Sequence, residues 1–334
     1  MQARPQLPDL FNRVLLSPRR VIQDTNKTIS QILQGDLKIL RQIGAYVVAS
    51  GGKRIRPLFT YYLGKSYDLD GRELVQLGSL LEIVHAASLL HDDVIDEAEE
   101  RRSLPTASKL HGNKVAVLAG DHLLSGGLKY LNTLKNPRYM DVFTDAIQAL
   151  STAELLQMQH HFDLKTTAAV HARIVDGKTA ILFQAAGALV AIMRGEQDFQ
   201  RSGTAALGLQ FGRFFQLRDD YLDYFDAARL KKKGLQDFTN GIVTRPLLRL
   251  LKSAGKQDQA AIKAAWLAGD VQPGSGSQEL VLRLMAKYGI AAQCAAELEG
   301  LQQKILTELA ALPGESARRT ITGEFQKILA VRAA

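Results

Sequence analysis

An all-α fold, a single large helical bundle over residues 1–334, is predicted by three features of the chain. Apolar residues recur at helical period in long runs, as in ELVQLGSLLEIVHAASLL (73–90), LQFGRFFQLRDDYLDYF (209–225) and AAQCAAELEGLQQKILTELAAL (291–312). The period-two alternation of strands is almost absent. Turn-forming punctuation is sparse and local: SYDLDGR near 66–72, LKNPRY near 134–139, GDVQPGSGS at 269–277 and LPGES at 312–316. None of these is long enough to serve as an interdomain linker. About ten to thirteen helices are expected in one domain, several of them apolar on more than one side and therefore central.

The 334 residues are 46% hydrophobic and 23% charged, values of an ordinary globular chain that exclude a disordered or fibrous one. Lys plus Arg number 42 against 34 Asp plus Glu, a net charge of +8, with a pI near 9.5. This favours anionic partners such as phosphates. The basic residues flank acidic clusters instead of forming a stripe with interleaved aromatics, so nucleic acid is not an expected partner. The single cysteine, Cys294, permits no intramolecular disulfide and no cysteine-built zinc or iron–sulfur site, as suits a cytoplasmic protein. The first twenty residues lack the apolar core of a signal peptide, and no stretch approaches the roughly 18 uncharged apolar residues of a membrane span. Any membrane contact is expected to be peripheral.

In chain order, the first segment that carries chemistry is SGGKRIRP (50–57). Lys53 and Arg56 stand three apart, after a glycine pair and before a proline that favours a helix start. The spacing aims both cations at one side, and a helix N-terminus adds N–H donors and the positive dipole end. The segment is a candidate diphosphate cradle, set against the plainer reading of a solvated basic turn.

The helical run AASLLHDDVID follows. Asp92 and Asp96 lie about 40° apart in helical projection and one turn apart in height, with Asp93 about 100° from Asp92 at the cluster's edge. The same pattern and geometry recur at Asp219, Asp220 and Asp223 in FGRFFQLRDDYLDYF. Carboxylates at this spacing repel one another, and in partly dry surroundings the simplest relief is a hard divalent cation. Mg²⁺ is the natural candidate, because it takes one or two carboxylates and completes its octahedron with water and phosphate oxygens. A lone DxxxD is more often a solvated helix face; two of them in apolar sequence point to a clamp for a Mg-diphosphate. Zinc is not expected, since the seven histidines show no HxxxH or HExxH spacing.

Arg101 and Arg102 come four residues after the first cluster, and adjacent arginines on a helix or its end diverge by about 100°, enough to serve two different anions. Lys178 in DGKTAILF leads into an apolar helix, and Lys231, Lys232 and Lys233 lie past the second cluster. Each of these, taken singly, reads as a surface charge.

As an ordered set, GGKRIRP, EIVHAASLLHDDVID, the RR pair, GNKVAVLAGDHLL, GKTAILF, FQLRDDYLDYF and GLQDFTNGIVTRP resemble the motifs of the trans (E) polyprenyl diphosphate synthases. The resemblance covers most of the chain. It implies an isoprenoid synthase bundle around a deep central cavity, usually a homodimer, that elongates an allylic diphosphate with isopentenyl diphosphate. It further implies that Asp92, Asp93, Asp96, Asp219, Asp220 and Asp223 act through Mg²⁺ on the allylic diphosphate, and that Arg101, Lys178 and Lys232 bind it directly. Lys53, Arg56, His85 and Arg102 would hold the diphosphate of isopentenyl diphosphate, with Thr179 and Gln216 lining the reaction centre. The sequence departs from the family pattern at Ile242, where lysine is usual, at Leu235, where glycine is usual, and at Ser103 after the arginine pair. Lys231, Lys233 and Arg245 are candidates to compensate.

The resemblance also assigns product length to the residues four and five before the first Asp. Here these are Ser88 and Ala87, the latter about 7.5 Å down the helix from Asp92. Small residues there imply a product longer than farnesyl diphosphate, of geranylgeranyl or longer length. Gly126 and Gly127 either remove bulk from a facing helix or serve close helix packing. Two alternatives remain: a class I terpene cyclase of the same fold, which has no need for the second diphosphate site of Lys53, Arg56 and Arg102, and a non-catalytic partner subunit of a heteromeric synthase, to which Ile242 points.

Overall fold

Helices carry nearly all of the described chain. The computed structural model describes residues 15–32, 37–49, 52–101, 104–226, 235–268 and 275–329. In order come α1 (Pro18–Ile32), α2 (Lys38–Ala49), α3 (Ile55–Lys65) and the long α4 (Gly71–Ile95). Two short strands follow, β1 (Glu100–Arg101) and β2 (Leu104–Pro105), paired antiparallel with Arg101 opposite Leu104. Then come α5 (Ala107–His111), α6 (Asn113–Asn132), α7 (Pro137–Gln159) and α8 (Ala168–Val175), which runs through a π-turn (Asp176–Ala180) into α9 (Ile181–Met193). After a 3₁₀ turn at Phe199–Arg201 stand α10 (Gly203–Phe225), α11 (Gln236–Thr239), α12 (Arg245–Ser253), α13 (Lys256–Ala268), α14 (Gly276–Lys287), α15 (Ile290–Ala310) and α16 (Glu315–Leu329). These sixteen α segments exceed the expected number, because α5 and α11 are single turns and the π-turn divides one long apolar helix.

Backbone packing groups the chain into two compact units. The first comprises Met1–Ile147, Leu182–Gly208 and Leu309–Glu324; the second, Gln148–Ile181, Leu209–Glu308 and Phe325–Ala334.

In the first unit α4 is the axial element, packed by α1, α3 and α6. Its start is fixed locally: the Asp70 carboxylate accepts from the N–H groups of Arg72 (2.8 Å) and Glu73 (3.1 Å), with an acidic residue three positions on, as a capping arrangement requires. One face of α4, Ile83, Ala87 and Leu90, is buried with Ile29 of α1, Ile43 and Val47 of α2, and Ala116, Ala119 and Leu123 of α6. Gly127 lets α6 approach closely, since a Cβ there would sit 3.2 Å from Ile83 Cγ2. Gly127 thus serves helix packing at this level, while a Cβ on Gly126 would come no nearer than 3.7 Å to Ile32 O. α9 and α10 approach still more closely: a Cβ on Gly187 would fall 2.0 Å from Thr204 O, and one on Gly208 2.0 Å from Phe183 O. α9 is buried from Leu182 to Ile192 but for the half-buried Gln184.

In the second unit, Phe162 and Phe238 both meet Trp266 edge to face, at 5.9 and 4.8 Å between ring centres. Gly241, with φ 69°, closes the turn after α11 where a Cβ would strike the Phe162 ring at 2.6 Å.

Two helices, Gly71–Ile95 and the continuous Ala168–Met193, have the length and mean hydropathy of a membrane span, which the sequence reading did not anticipate. Their most apolar windows are 72% and 67% buried, as expected of core helices.

Candidate active site

The first unit presents the DDVID cluster at the C-terminal end of α4, with Asp96 as the capping residue. The helix dipole is negative there, so three aspartates add to an unfavourable potential that only positive charge relieves. The spacing put Asp93 at the edge of the cluster; in the structure it is the buried member, 2% exposed, while Asp92 is half-buried and Asp96 exposed. Asp93 is buried because Arg101 reaches back from β1 and donates from Nε to its Oδ1 at 2.7 Å. The strand pair serves to return Arg101 to the helix it has just left.

Arg101 therefore holds a carboxylate, with the remaining N–H groups of its guanidinium unassigned to that bond. Arg102 and Ser103, together with Lys231, Lys232 and Lys233, lie outside the described residues.

Behind Asp93 is a cavity of about 40 Å³ lined by His85, Glu82, Arg54, Tyr46 and Arg101 among others, room for water but not for a diphosphate. His85 is half-buried about two turns before Asp92 and lines this space. Arg54, which the sequence reading passed over between Lys53 and Arg56, organises the region. It adopts a left-handed backbone (φ 47°) at the start of α3 and its side chain is buried. It donates to Glu82 Oε1 (3.0 Å), Asn26 Oδ1 (3.0 Å) and the carbonyls of Val47 (3.2 Å) and Val48 (3.4 Å), tying α1, α2 and α4 together. Lys53 is exposed just ahead of the helix, and Arg56 lies in its first turn with its guanidinium 5.2 Å from the Phe183 ring centre. Pro57 sits in that same turn, where its missing N–H costs no hydrogen bond.

Ser88 and Ala87 separate in the structure. Ala87 is fully buried in the apolar cluster, whereas the half-buried Ser88 donates its hydroxyl to His85 O at 2.9 Å.

The second unit carries the other cluster, again at a helix C-terminus, on the last turns of α10. Asp219 is exposed; Asp220 and Asp223 are buried, at 2% and 9%. The π-turn that carries Lys178 and Thr179 packs on α7 through Gly177, where a Cβ would meet Ala149 O at 2.9 Å. Single-turn π segments of this kind recur at functional sites. From it, Thr179 Oγ1 donates to Gln216 Oε1 (2.6 Å), and Gln216 Nε2 donates to Asp220 Oδ1 (2.8 Å), so one chain of hydrogen bonds orients both residues against the cluster. Lys178 is paired with Glu154 Oε2 at 2.6 Å, and Arg213 forks onto Asp176 at 2.5 and 2.7 Å.

Two residues to which the sequence reading gives no role join this cluster. Buried His171 stands with Nε2 3.3 Å from Asp220 Oδ2, a contact too poorly aligned to be a hydrogen bond, so that oxygen is buried without a donor. Asp237 of α11 donates its backbone N–H to Asp223 Oδ2 at 3.1 Å. Burial, and then the charges of Asp223, Asp220 and Asp219, push its carboxyl well above the ordinary carboxylate range against the pull of Lys178. Only long-range folding brings Asp237 in, fourteen residues after Asp223. His171 had a weak indicator, being two helical turns before Lys178.

Ile242 is half-buried and its N–H donates to Asp237 O at 2.8 Å, so the backbone at this departure holds the loop of the fourth aspartate. Arg245, a candidate to compensate for the missing lysine, is engaged by a carboxylate here. It donates to both oxygens of Glu297 (3.0 and 2.6 Å), a carboxylate shared with Arg249.

An orphaned buried carboxylate oxygen on Asp220, and a carboxyl on Asp237 perturbed by three neighbours, make a donor set suited to a hard divalent cation. Among the described residues no three His, Cys, Asp or Glu side chains converge into a ready cage. Mg²⁺ characteristically needs only one or two carboxylates and takes its other ligands from water and phosphate.

Comparison with known proteins agrees with this chemistry. The chain is 34% identical over 245 residues to the octaprenyl diphosphate synthase of Haemophilus influenzae, covering 73% of this chain and 74% of that one. Its fold superposes on the crystal structure of a decaprenyl diphosphate synthase from Rhodobacter capsulatus with a TM-score of 0.85 and 28% identity, over 95% of this chain and 100% of the other. A polyprenyl synthase from Caulobacter crescentus, crystallised with calcium and isoprenyl diphosphate, gives a TM-score of 0.82 and 27% identity over 96% and 100% of the two chains. The polyprenyl synthetase family profile matches residues 37–273, most of the chain and both aspartate clusters, and the protein belongs to that family.

Proposed function

We propose that the protein is a chain-elongating prenyltransferase that condenses isopentenyl diphosphate with an allylic diphosphate to give an all-E polyprenyl diphosphate longer than farnesyl. The observation that carries this reading is the pair of aspartate clusters at helix C-termini, one paired with Arg101 and the other enclosing an orphaned carboxylate oxygen. The relatives named octaprenyl and decaprenyl diphosphate synthases support the product class.

Asp92, Asp93 and Asp96 in one unit, and Asp219, Asp220, Asp223 and Asp237 in the other, would hold Mg²⁺, which when bound supplies positive charge to a departing diphosphate. The Caulobacter relative's divalent ion and isoprenyl diphosphate support this choice. Arg101 and Lys178 are held by Asp93 and Glu154 through one donor each, leaving further N–H groups for the allylic diphosphate. Lys232 is assigned to the same diphosphate by family likeness. Lys53, Arg56, His85 and Arg102 bind the diphosphate of isopentenyl diphosphate. Thr179 and Gln216, locked to each other, turn their dipoles toward the reaction centre.

The allylic C–O bond breaks with its electron pair leaving on diphosphate. The isopentenyl double bond attacks the resulting carbocation, and loss of a proton to the departed diphosphate forms the new E double bond. Apolar residues around Ser88 exclude water that would quench the cation. The exposed Leu110, Val117 and Leu118 of α5 and α6 give the unit an apolar face suited to a homodimer.

The test supplies labelled isopentenyl diphosphate and Mg²⁺ with dimethylallyl, geranyl or farnesyl primer, and sizes the products. Linear products longer than farnesyl are expected from the purified chain alone, lost on chelation. Cyclised products would establish the cyclase, and activity only with an added second chain would establish the partner subunit. Asp92→Ala and Asp219→Ala should each cut turnover by orders of magnitude.

A further inference from the structure

At the other end of α4 from the aspartates, α1, α4 and α6 enclose a surface pocket of about 270 Å³. Arg72 and Asp92 are twenty residues apart on one helix, about 30 Å along its axis, so no diphosphate held by the DDVID cluster reaches this place.

The pocket is rich in donors. Lys27 and Arg72 border it, both exposed and without a partner among the described residues. Arg20 also borders it and uses its Nε on Asp24 Oδ2 at 2.9 Å, which neutralises the one carboxylate in the lining. Tyr130 accepts from Gln76 Nε2 at 2.7 Å, so its own O–H remains available to donate, and the residue lines the space. Three cations stand against one carboxylate, with a phenolic hydroxyl among them, and the N–H groups of α4 are already taken by Asp70. The only apolar side chain in the lining is Val75.

A space of this size with these donors suits a phosphate or diphosphate group, which is bulky, multiply charged and accepts several charge-assisted hydrogen bonds at once. We propose that the pocket bordered by Lys27, Arg72 and Tyr130 is a second phosphate-binding site, separate from the reaction site. The group it takes is carried either by a free phosphate or diphosphate or by an anionic phospholipid. The assignment rests on the pocket alone and holds whatever reaction the protein performs.

The experiment uses the full chain, freed of divalent ions with chelator, and compares wild type with Lys27→Gln/Arg72→Gln. Inorganic phosphate and diphosphate are titrated by calorimetry. Sedimentation is measured with vesicles of phosphatidylcholine alone and of phosphatidylcholine carrying phosphatidic acid. Both side chains are exposed, so the double variant should keep its circular dichroism and its turnover.

A loss of one class of phosphate or diphosphate binding sites, weakened at least about tenfold in the variant, assigns the pocket to a soluble ligand. Loss of retention on the phosphatidic acid vesicles, with soluble binding unchanged, assigns it to a lipid headgroup. Tyr130→Phe, which removes one hydroxyl donor, should weaken the same binding by a smaller factor. Unchanged affinity for both anions and both vesicles in the double variant overturns the proposal.

Discussion

Replacing Arg54 by Ala tests the region that presents the basic residues of the first unit. The Arg54–Glu82 pair is 3.0 Å long with side chains only 5% and 6% exposed, so solvent screens it little. Removing one partner of such a pair strands a buried carboxylate and costs about 3–5 kcal/mol. The variant also gives up the bonds from Arg54 to Asn26 and to the carbonyls of Val47 and Val48. Expressed as melting temperature, the loss is about 6–20 °C for a unit of this size. Urea and thermal unfolding measure it. Because Lys53 and Arg56 flank Arg54, the KM for isopentenyl diphosphate should rise by a larger factor than kcat falls. Arg54→Met with Glu82→Met leaves no stranded charge and should recover much of the stability, though not the low KM. A loss below about 1 kcal/mol in Arg54→Ala would mean that the pair behaves like a surface salt bridge, and the reasoning fails.

Four further outcomes follow from particular contacts. In Asp237→Asn, the stabilisation by Mg²⁺ and diphosphate should shrink: a ligand at a hundred times its Kd adds about 2.7 kcal/mol, and tenfold weaker binding leaves about 1.4 kcal/mol, so an equal thermal shift removes Asp237 from the metal site. Ser88→Phe should shorten the product, read by chromatography of the labelled chain, whereas Ala87→Phe forces a ring into the buried apolar cluster and should cost about 1–3 kcal/mol as well. Gly208→Ala puts a Cβ 2.0 Å from Phe183 O and should lower urea stability by a similar amount; a neutral result would show that α9 and α10 can part freely. Burial tends to raise the Glu297 carboxyl, but the bonds from Arg245 and Arg249 outweigh it and hold it below the ordinary value of 4.5. Its contribution is present above pH about 4.5 and is lost as pH falls through the lowered value, so Glu297→Gln and wild type should differ at pH 7 and converge in acid.

The helical class, the position of α4 and the turn at 66–72 were legible because each rests on local chemistry. Period 3.6 needs only neighbouring residues, and the Asp70 cap acts within three positions. The π-turn at Asp176–Ala180 was not legible, since GKTAILF reads as uninterrupted helix and the extra residue is favoured only by what Gly177 and Thr179 meet from other helices. Ala87 and Ser88 could not be told apart for the same reason. Adjacent residues on a helix diverge by about 100°, and only the placement of α1, α2 and α6 decides which of them meets the core.

The site itself was legible in its parts and not in its pairing. Spacing alone puts Asp92 with Asp96 and Asp219 with Asp223. It cannot show that Asp93 is the member withdrawn from solvent, because the arginine that holds it arrives by a strand pair. Nor can it find Asp237 or Glu154, whose partners are distant in sequence. What the structure adds to the spacing is an electrostatic reason for the clusters. Both stand at helix C-termini, where the dipole and the neighbouring carboxylates act in the same direction. In the first unit Arg101 pairs with Asp93; in the second, Asp220 keeps a buried oxygen without a donor and the Asp237 carboxyl is pushed up by burial and its neighbours. A cation there would satisfy that oxygen, so the stabilisation lost in a metal-free protein should extend to α10 and α11. Hydrogen exchange with and without Mg²⁺ and diphosphate reads this directly, and protection gained only around α4 would reverse the assignment.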